Sequence, residues 1–288
     1  MSTLGKRVYL TVSWVRIPFP PPHIVSTSAK TFMNLLNQKL LHCISIIFII
    51  MIGKTYAAEP PFWGTIFINP NIVVASDPSV FKSISYKGIG SRTMFDRRKS
   101  SGWVTLKPFL FDAKFEDESI IEMQVNPEFK DNSTAEIEAR KYAWLIGQLP
   151  AVLRKDIQTS WIHKGIKPFG GGNNNILIHT GQTKEYERDG ILEETLIHEA
   201  THTSLDLYHV KTRAWYDAQS SDNNFISIYA RDNPLREDIA ESFLTYLAVI
   251  HRSDRIPSNL RSKILRAIPN RIKYFDSQNF DLYPLVNQ

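Results

Sequence analysis

The residues best suited to chemistry in this chain are His198, Glu199 and His202, in the run His198-Glu199-Ala200-Thr201-His202. On a helix, side chains four positions apart project from one face, so both imidazoles can reach a single metal ion. The glutamate between them can then hold a water at that metal and take its proton. The stretch Glu193 to Tyr208 predicts one helix, because Leu192, Leu196, Leu205 and Tyr208 are apolar at helical spacing and no glycine or proline interrupts. A catalytic zinc takes three protein ligands and keeps one open position, so a third ligand is required. Asp206 follows one turn after His202, yet it lies about 12 Å of helix rise from His198, too far to share one ion comfortably. The third ligand is therefore expected from a second helix, Leu235 to Ile250, whose first turns carry Glu237, Asp238 and Glu241.

Two stretches carry a family resemblance. His198 to Asp206 resembles the active-site helix of thermolysin-type enzymes, including its later aspartate, and Glu237 to Phe243 resembles the matching stretch of lethal factor. On these residues, and over roughly Asn175 to Ala248, the chain is similar to the gluzincins, the zinc peptidases that include thermolysin and anthrax lethal factor. The metzincin pattern is absent: Leu205 and Tyr208 stand where its glycine and histidine belong, and His209 comes one residue late. The resemblance implies a Zn2+ cofactor held by His198, His202 and Glu237, with Glu199 as general base. It also implies that Glu241 orients a ligand histidine and that Asp206 supports the site from the helix end. Tyr229 matches the tyrosine that stabilises the tetrahedral intermediate, with one extra residue between it and Glu237. His251, beyond the ligand helix, is the second candidate for that oxyanion role. The implied activity is hydrolysis of peptide bonds in a peptide or protein substrate. The implied fold is an α+β zincin-like domain with an active-site helix and a third-ligand helix, preceded by a β-rich region.

Other elements must position these groups. Between residues 58 and 130 the pattern is strand-like: GTIFINP, NIVVASD, WVTLKPFLF and IIEMQVNP are β-branched or aromatic runs ended by proline and aspartate punctuation. This part is expected to be a β-rich N-terminal region, followed by a catalytic domain over 131–288. The glycines of Lys87 to Arg92 and of Gly170-Gly171-Gly172 invite a phosphate-cradle reading, but neither run has the P-loop ending, so both predict loops. Asn132-Ser133-Thr134 starts a helix running to about Leu149, with Ile137, Tyr142, Ala143, Leu145, Ile146 and Leu149 on its buried face. A short helical segment, AVLRKDI, follows. Strands are then predicted at Thr159–His163 and Asn175–His179; His163 and His179 read as packing histidines, and the second strand as a cleft edge able to pair with an extended substrate. A last helix is expected over Ile256–Ile268, stopped by Pro269, with an aromatic tail packed on the core.

The chain has 288 residues, a net charge of +5 and a pI of about 9.1. That basicity belongs to the leader. Residues 1–57 hold six basic side chains and no acidic one, which leaves 28 basic against 29 acidic in the remainder. A nucleic-acid partner is not indicated. Residues 40–53 form a short apolar run after Lys39, followed by Thr55-Tyr56-Ala57-Ala58, so residues 33–57 predict a cleaved signal peptide and a secreted or periplasmic product that meets the membrane only during export. The Pro-rich stretch before Met33 suits neither an export signal nor a fold, and translation is expected to start at Met33. Cys43, the single cysteine, lies in the apolar run, so the exported part is expected to have no disulfide. Two rivals stand beside the peptidase reading: a secreted protein that keeps zinc for structure without catalysis, and a zinc hydrolase acting on a non-peptide substrate.

Overall fold

The computed structural model describes residues 59–287; the leader, Cys43 and the expected start and cleavage points lie outside them. The described chain begins with an irregular segment and then builds β1 (Phe81–Ile89), the hairpin β2 (Arg92–Phe95) and β3 (Trp103–Leu106), β4 (Phe109–Phe115) and β5 (Ile120–Val125). Helices α1 (Asn132–Gly147) and α2 (Ala151–Arg154) lead to β6 (Thr159–His163), β7 (Gly170–Gly172) and β8 (Asn175–His179). The rest is helical: α3 (Thr180–Asp189), α4 (Leu192–Ser204), α5 (Asp206–His209), α6 (Arg213–Ser221), α7 (Ile228–Asp232), α8 (Asp238–Tyr246), α9 (Ser258–Ala267) and α10 (Pro269–Asp276).

The architecture is α+β. Six strands form one mixed sheet in the order β1-β4-β5-β6-β8-β7, with β2 and β3 as a separate two-stranded ribbon. The pairs β5–β6 and β6–β8 are parallel, and the others antiparallel. Strands β1, β4 and β5, from the β-rich stretch, thus continue the sheet that β6, β8 and β7 complete. Helix α1 packs on β1, β4 and β5, while α4 packs on β7 and β8 and against α8. β8 reads Asn-Ile-Leu-Ile-His and is buried at every position, as expected of a strand covered on both faces. Fully buried side chains such as Phe111, Ile176, Ile178 and Phe243 each contribute about 1.5–3 kcal/mol by leaving water.

Several local expectations give way to long-range contacts. GTIFINP and NIVVASD form no strands. Residues 62–80 run as an irregular strap whose backbone donors go to buried carboxylates: Ile68 and Ile72 N–H donate to the two oxygens of Glu194 at 2.7 and 2.9 Å, and Ile66 N–H donates to Glu241 at 3.1 Å. With those acceptors supplied, the backbone needs no partner strand. Lys87 to Arg92 is the turn between β1 and β2, with only Gly90 and Ser91 outside the strands. The run WVTLKPFLF breaks at Lys107-Pro108, so its halves enter different sheets. Helix α1 is capped by Asp131, whose carboxylate accepts the Thr134 N–H, and it buries Ala135 and Ala139 while Ile137 is 67% exposed. Pro269, read as a stop, is the first residue of α10, where its missing N–H costs nothing.

Gly170–Gly172 is an edge strand and not a loop. It hairpins back onto β8 through Asn173-Asn174, both at positive φ (53° and 54°), the backbone that a two-residue turn of matching twist demands. β8 consequently lies inside the sheet, between β6 and β7, and the expected cleft edge is displaced onto β7. Gly171 permits this layout: a Cβ there would sit 1.8 Å from the Glu199 carbonyl oxygen, so any side chain would force β7 off α4. No helix among the described residues is long and apolar enough to cross a membrane.

Candidate metal centre

The helix expected to carry the two histidine ligands forms as α4, but it ends at Ser204. Leu205 interrupts it, and Asp206 opens the separate short helix α5. The single helix expected over Glu193 to Tyr208 is therefore two. The second helix likewise starts later than its apolar pattern suggested: Glu237 is the residue that precedes α8, with φ −110° and ψ −22°, and a π turn over Leu247–His251 follows Tyr246. Placing Glu237 at the mouth of α8 lets its side chain reach across to α4.

His198, His202 and Glu237 converge. Their candidate ligand atoms lie within 4.8 Å of one another, the single such group of histidine, cysteine or carboxylate side chains among the described residues. The two Nε2 atoms are 3.1 Å apart, and Oε2 of Glu237 lies 3.5 Å from His198 Nε2 and 3.3 Å from His202 Nε2. All three residues are at most 4% exposed. Oε2 of Glu237 forms no hydrogen bond, although two ring nitrogens face it, and the three groups point at a shared volume. A buried oxygen left in that state is costly unless something else occupies the volume. Two imidazole nitrogens and one carboxylate oxygen fit the donor set of a three-ligand zinc site.

A carboxylate stands behind each histidine, within hydrogen-bond distance at His202 and just beyond it at His198. His202 Nδ1 is 3.0 Å from Asp206 Oδ2. His198 Nδ1 lies 3.6 Å from Glu241 Oε1, and the other Glu241 oxygen accepts from Ile66 N–H and the Ser227 hydroxyl. Carboxylate contacts of this kind fix which nitrogen faces a metal and raise its basicity. The protonation balance reflects them. Burial disfavours the charged imidazoles, but Glu237 beside His198, and Asp206 with Glu237 beside His202, outweigh it and raise both. Burial works the other way on Glu237, yet the two histidines hold its carboxyl well below the usual carboxylate range. Burial raises Glu241 to about 7.

Glu199 is 3% exposed, and its Oε1 makes no hydrogen bond. Burial raises its carboxyl, against the pull of His198 and His202. Tyr229, half-buried on α7, faces Glu237: burial is the first cause that raises its phenol and this carboxylate the second. The strap holds it there, through the Ile228 and Tyr229 N–H groups, which donate to the Phe62 and Trp63 carbonyls. His251 is not brought to this centre. Its Nε2 bonds the Tyr246 hydroxyl at 2.9 Å, and the charge it feels is Asp276. His163 and His179 are buried in β6 and β8, also away from it.

Sequence reasoning missed three contributors. Glu194 carries no signal in the sequence beyond its place in the first turn of α4, yet it is 1% exposed and clamps the strap. Gly171 was one of three glycines in an apparent loop, and its signal appears only once α4 lies beneath it. Arg97, after β2, is a third: Glu199 is the strongest charge acting on it, and no local pattern ties the two. A surface recess lined by Asn71, Trp144, Leu192 and Glu193 lies at the start of α4 and includes none of the metal-centre residues.

The fold and site together define an α+β chain with a buried His-His-Glu group able to hold a metal ion. Comparisons with protein-family models, curated proteins and solved structures return no match to it.

Proposed function

We propose that the chain is an exported zinc-dependent metallopeptidase of the gluzincin type, with a zincin-like arrangement of α4 and α8 beneath the sheet. The observation that carries this reading is the convergence of His198, His202 and Glu237 on one volume, with the Glu199 carboxylate beside it and its Oε1 unengaged. His198, His202 and Glu237 hold the ion, and Glu241 and Asp206 fix the two imidazoles. A zinc ion there supplies a Lewis acid that polarises a carbonyl and makes water acidic enough to react near neutral pH. Glu199 takes the proton from the attacking water and returns it to the leaving nitrogen, for which its burial-raised pKa suits it. The Tyr229 hydroxyl donates to the oxygen that gains charge as the carbonyl carbon becomes tetrahedral. An extended peptide adds to the outer edge of β7, the antiparallel edge strand lying on α4.

The deciding experiment is Glu199→Gln. The variant should keep its zinc content and melting temperature and lose peptide hydrolysis by about 100-fold or more. A wild type that binds no zinc, or a variant with full activity, ends the enzyme reading.

A further inference from the structure

Two groups that flank the metal centre meet at Ser227, a fully buried residue just before α7. Its backbone is extended, with φ −136° and ψ 159°, and pairs with Phe62 of the strap in a parallel bridge. Its hydroxyl is engaged twice. The oxygen accepts the Ala230 N–H at 3.0 Å, which caps α7, and the proton goes to Glu241 Oε2 at 3.2 Å. A hydroxyl that accepts at a cap still has one proton to give, so a single side chain serves both flanks.

On one flank stands the carboxylate behind His198. Glu241 Oε2 takes two donors, the Ser227 hydroxyl and the Ile66 N–H at 3.1 Å. That leaves Oε1 as the oxygen facing His198 Nδ1, at 3.6 Å. The last torsion of a glutamate is broad when free, so these two donors set which way the carboxylate points. On the other flank is Tyr229, the second residue of α7. The Ile228 and Tyr229 N–H groups donate to the Phe62 and Trp63 carbonyls at 3.0 and 3.2 Å, and that of Ala230 donates to Ser227. The orphan donors of this helix start are thus held by the strap and by one side chain. Ser160 in β6 is equally buried, yet its hydroxyl donates to the Ile176 carbonyl at 3.2 Å, a bond within the sheet.

We infer that Ser227 is a positioning residue that joins the two flanks: it aims the Glu241 carboxylate at His198 and seats the helix turn that carries Tyr229. Metal affinity and turnover then depend on one hydroxyl. The turnover half rests on the peptidase reading, so the test reads zinc binding separately from cleavage. In chelator competition, Ser227→Ala should weaken zinc binding about 3- to 10-fold, the loss of one hydrogen bond to a charged group behind a ligand. In a Glu241→Gln background the same change should cost about twofold or less, because the carboxylate it acts through is already gone. At saturating zinc, Ser227→Ala should lower kcat about tenfold and leave KM unchanged, since the Tyr229 hydroxyl acts on the tetrahedral species and not on bound substrate. Ser227→Gly, a tolerated cap without the hydroxyl, should repeat both losses and carries the test if the alanine variant folds poorly. Ser160→Ala should lower the melting temperature and leave zinc affinity and kcat within about twofold. The inference is overturned if the folded variants hold zinc as tightly as wild type, if the full loss persists in Glu241→Gln, or if kcat of an active protein does not move. Weakened zinc binding in a protein that cleaves no peptide would instead count against the peptidase reading and leave Ser227 in its role at Glu241.

Discussion

The chain buries two pairs of neighbouring histidines, and they differ in what their ring nitrogens meet. His198 and His202 stand on one helix, rings 4.8 Å apart and nearly perpendicular at 83°, with both Nε2 atoms turned to Glu237 and both Nδ1 atoms backed by carboxylates. His163 and His179 are register partners on the parallel strands β6 and β8, rings stacked at 5.4 Å and 29°. Three of their nitrogens meet neutral groups: Asn126 donates to His163 Nδ1, His163 Nε2 donates to the Phe95 carbonyl, and His179 Nδ1 donates to the Lys164 carbonyl, while His179 Nε2 is buried without a hydrogen bond. The nearest acid, Asp96, is 3.8 Å from His163 and already committed to Arg98. Burial is therefore the largest influence on the second pair, outweighing the pull of Asp96, and lowers both to about 4, whereas carboxylates override burial in the first. Two buried imidazoles become able to hold a metal ion when acids stand behind them and a third acid faces them.

The largest effect should come from removing the facing acid. Glu237→Ala is expected to weaken zinc binding by more than about 100-fold, since it deletes a ligand, while Glu241→Gln and Asp206→Asn, which only orient ligands, should each cost about 10–100-fold. Competition with a chelator of known affinity measures all three. Near-equal losses for Glu237 and Asp206 would reassign the third ligand. His163→Gln is the control from the other pair, and any change in its zinc stoichiometry would break the comparison.

The same contrast explains what could be read from residues. The spacing of His198 and His202 is a property of any helix, so their shared face was legible, and so were Glu237 and Glu241 one turn apart. The failures share a cause in contacts distant along the chain. Residues 64–76 have the β-branched runs of strands, yet Glu194, more than 120 positions away, satisfies the Ile68 and Ile72 donors. Gly170–Gly172 has no side chains to alternate, so periodicity could not reveal an edge strand, and only the 1.8 Å approach to Glu199 explains Gly171. The break at Leu205 left no mark either, because Asp206 and Tyr208 fit a continuing helix as well as a new one.

The next effect is on stability and comes from the neutral pair. An unfolded imidazole titrates near the ordinary 6.5, and the folded ones near 4, so between these values the unfolded chain binds more protons. Stability is lost as pH falls through that window, by about 2 kcal/mol for each histidine at pH 5. Glu194 opposes this: burial holds its carboxyl at about 7, so its penalty appears as pH rises from 4.5 and disappears on acidification. The histidine contribution is therefore read as a difference. His163→Gln should show a flatter pH dependence, with wild type losing about 2 kcal/mol relative to the variant between pH 7 and pH 5 in urea denaturation. Parallel curves would mean that His163 is not held neutral by burial.

The smallest effect is expected at His251, and its smallness is informative. Along a continuous helix it would stand about 20 Å of rise beyond Glu237, and the π turn that carries it shortens this little. Its ring is spent on the Tyr246 hydroxyl, with the two rings edge to face at 5.2 Å. His251→Ala should cost about 1 kcal/mol of stability, the worth of one partly buried hydrogen bond, and leave zinc content and turnover unchanged. Tyr229→Phe should differ in activity: it keeps the ring's packing and removes the hydroxyl with its bond to Glu237, so stability falls by about 1 kcal/mol at most while kcat falls about 100-fold, the usual loss of one oxyanion donor. The pair of variants separates the two candidates without relying on either alone. A kcat loss in His251→Ala with full zinc and native stability, beside an unimpaired Tyr229→Phe, would hand the oxyanion role to His251.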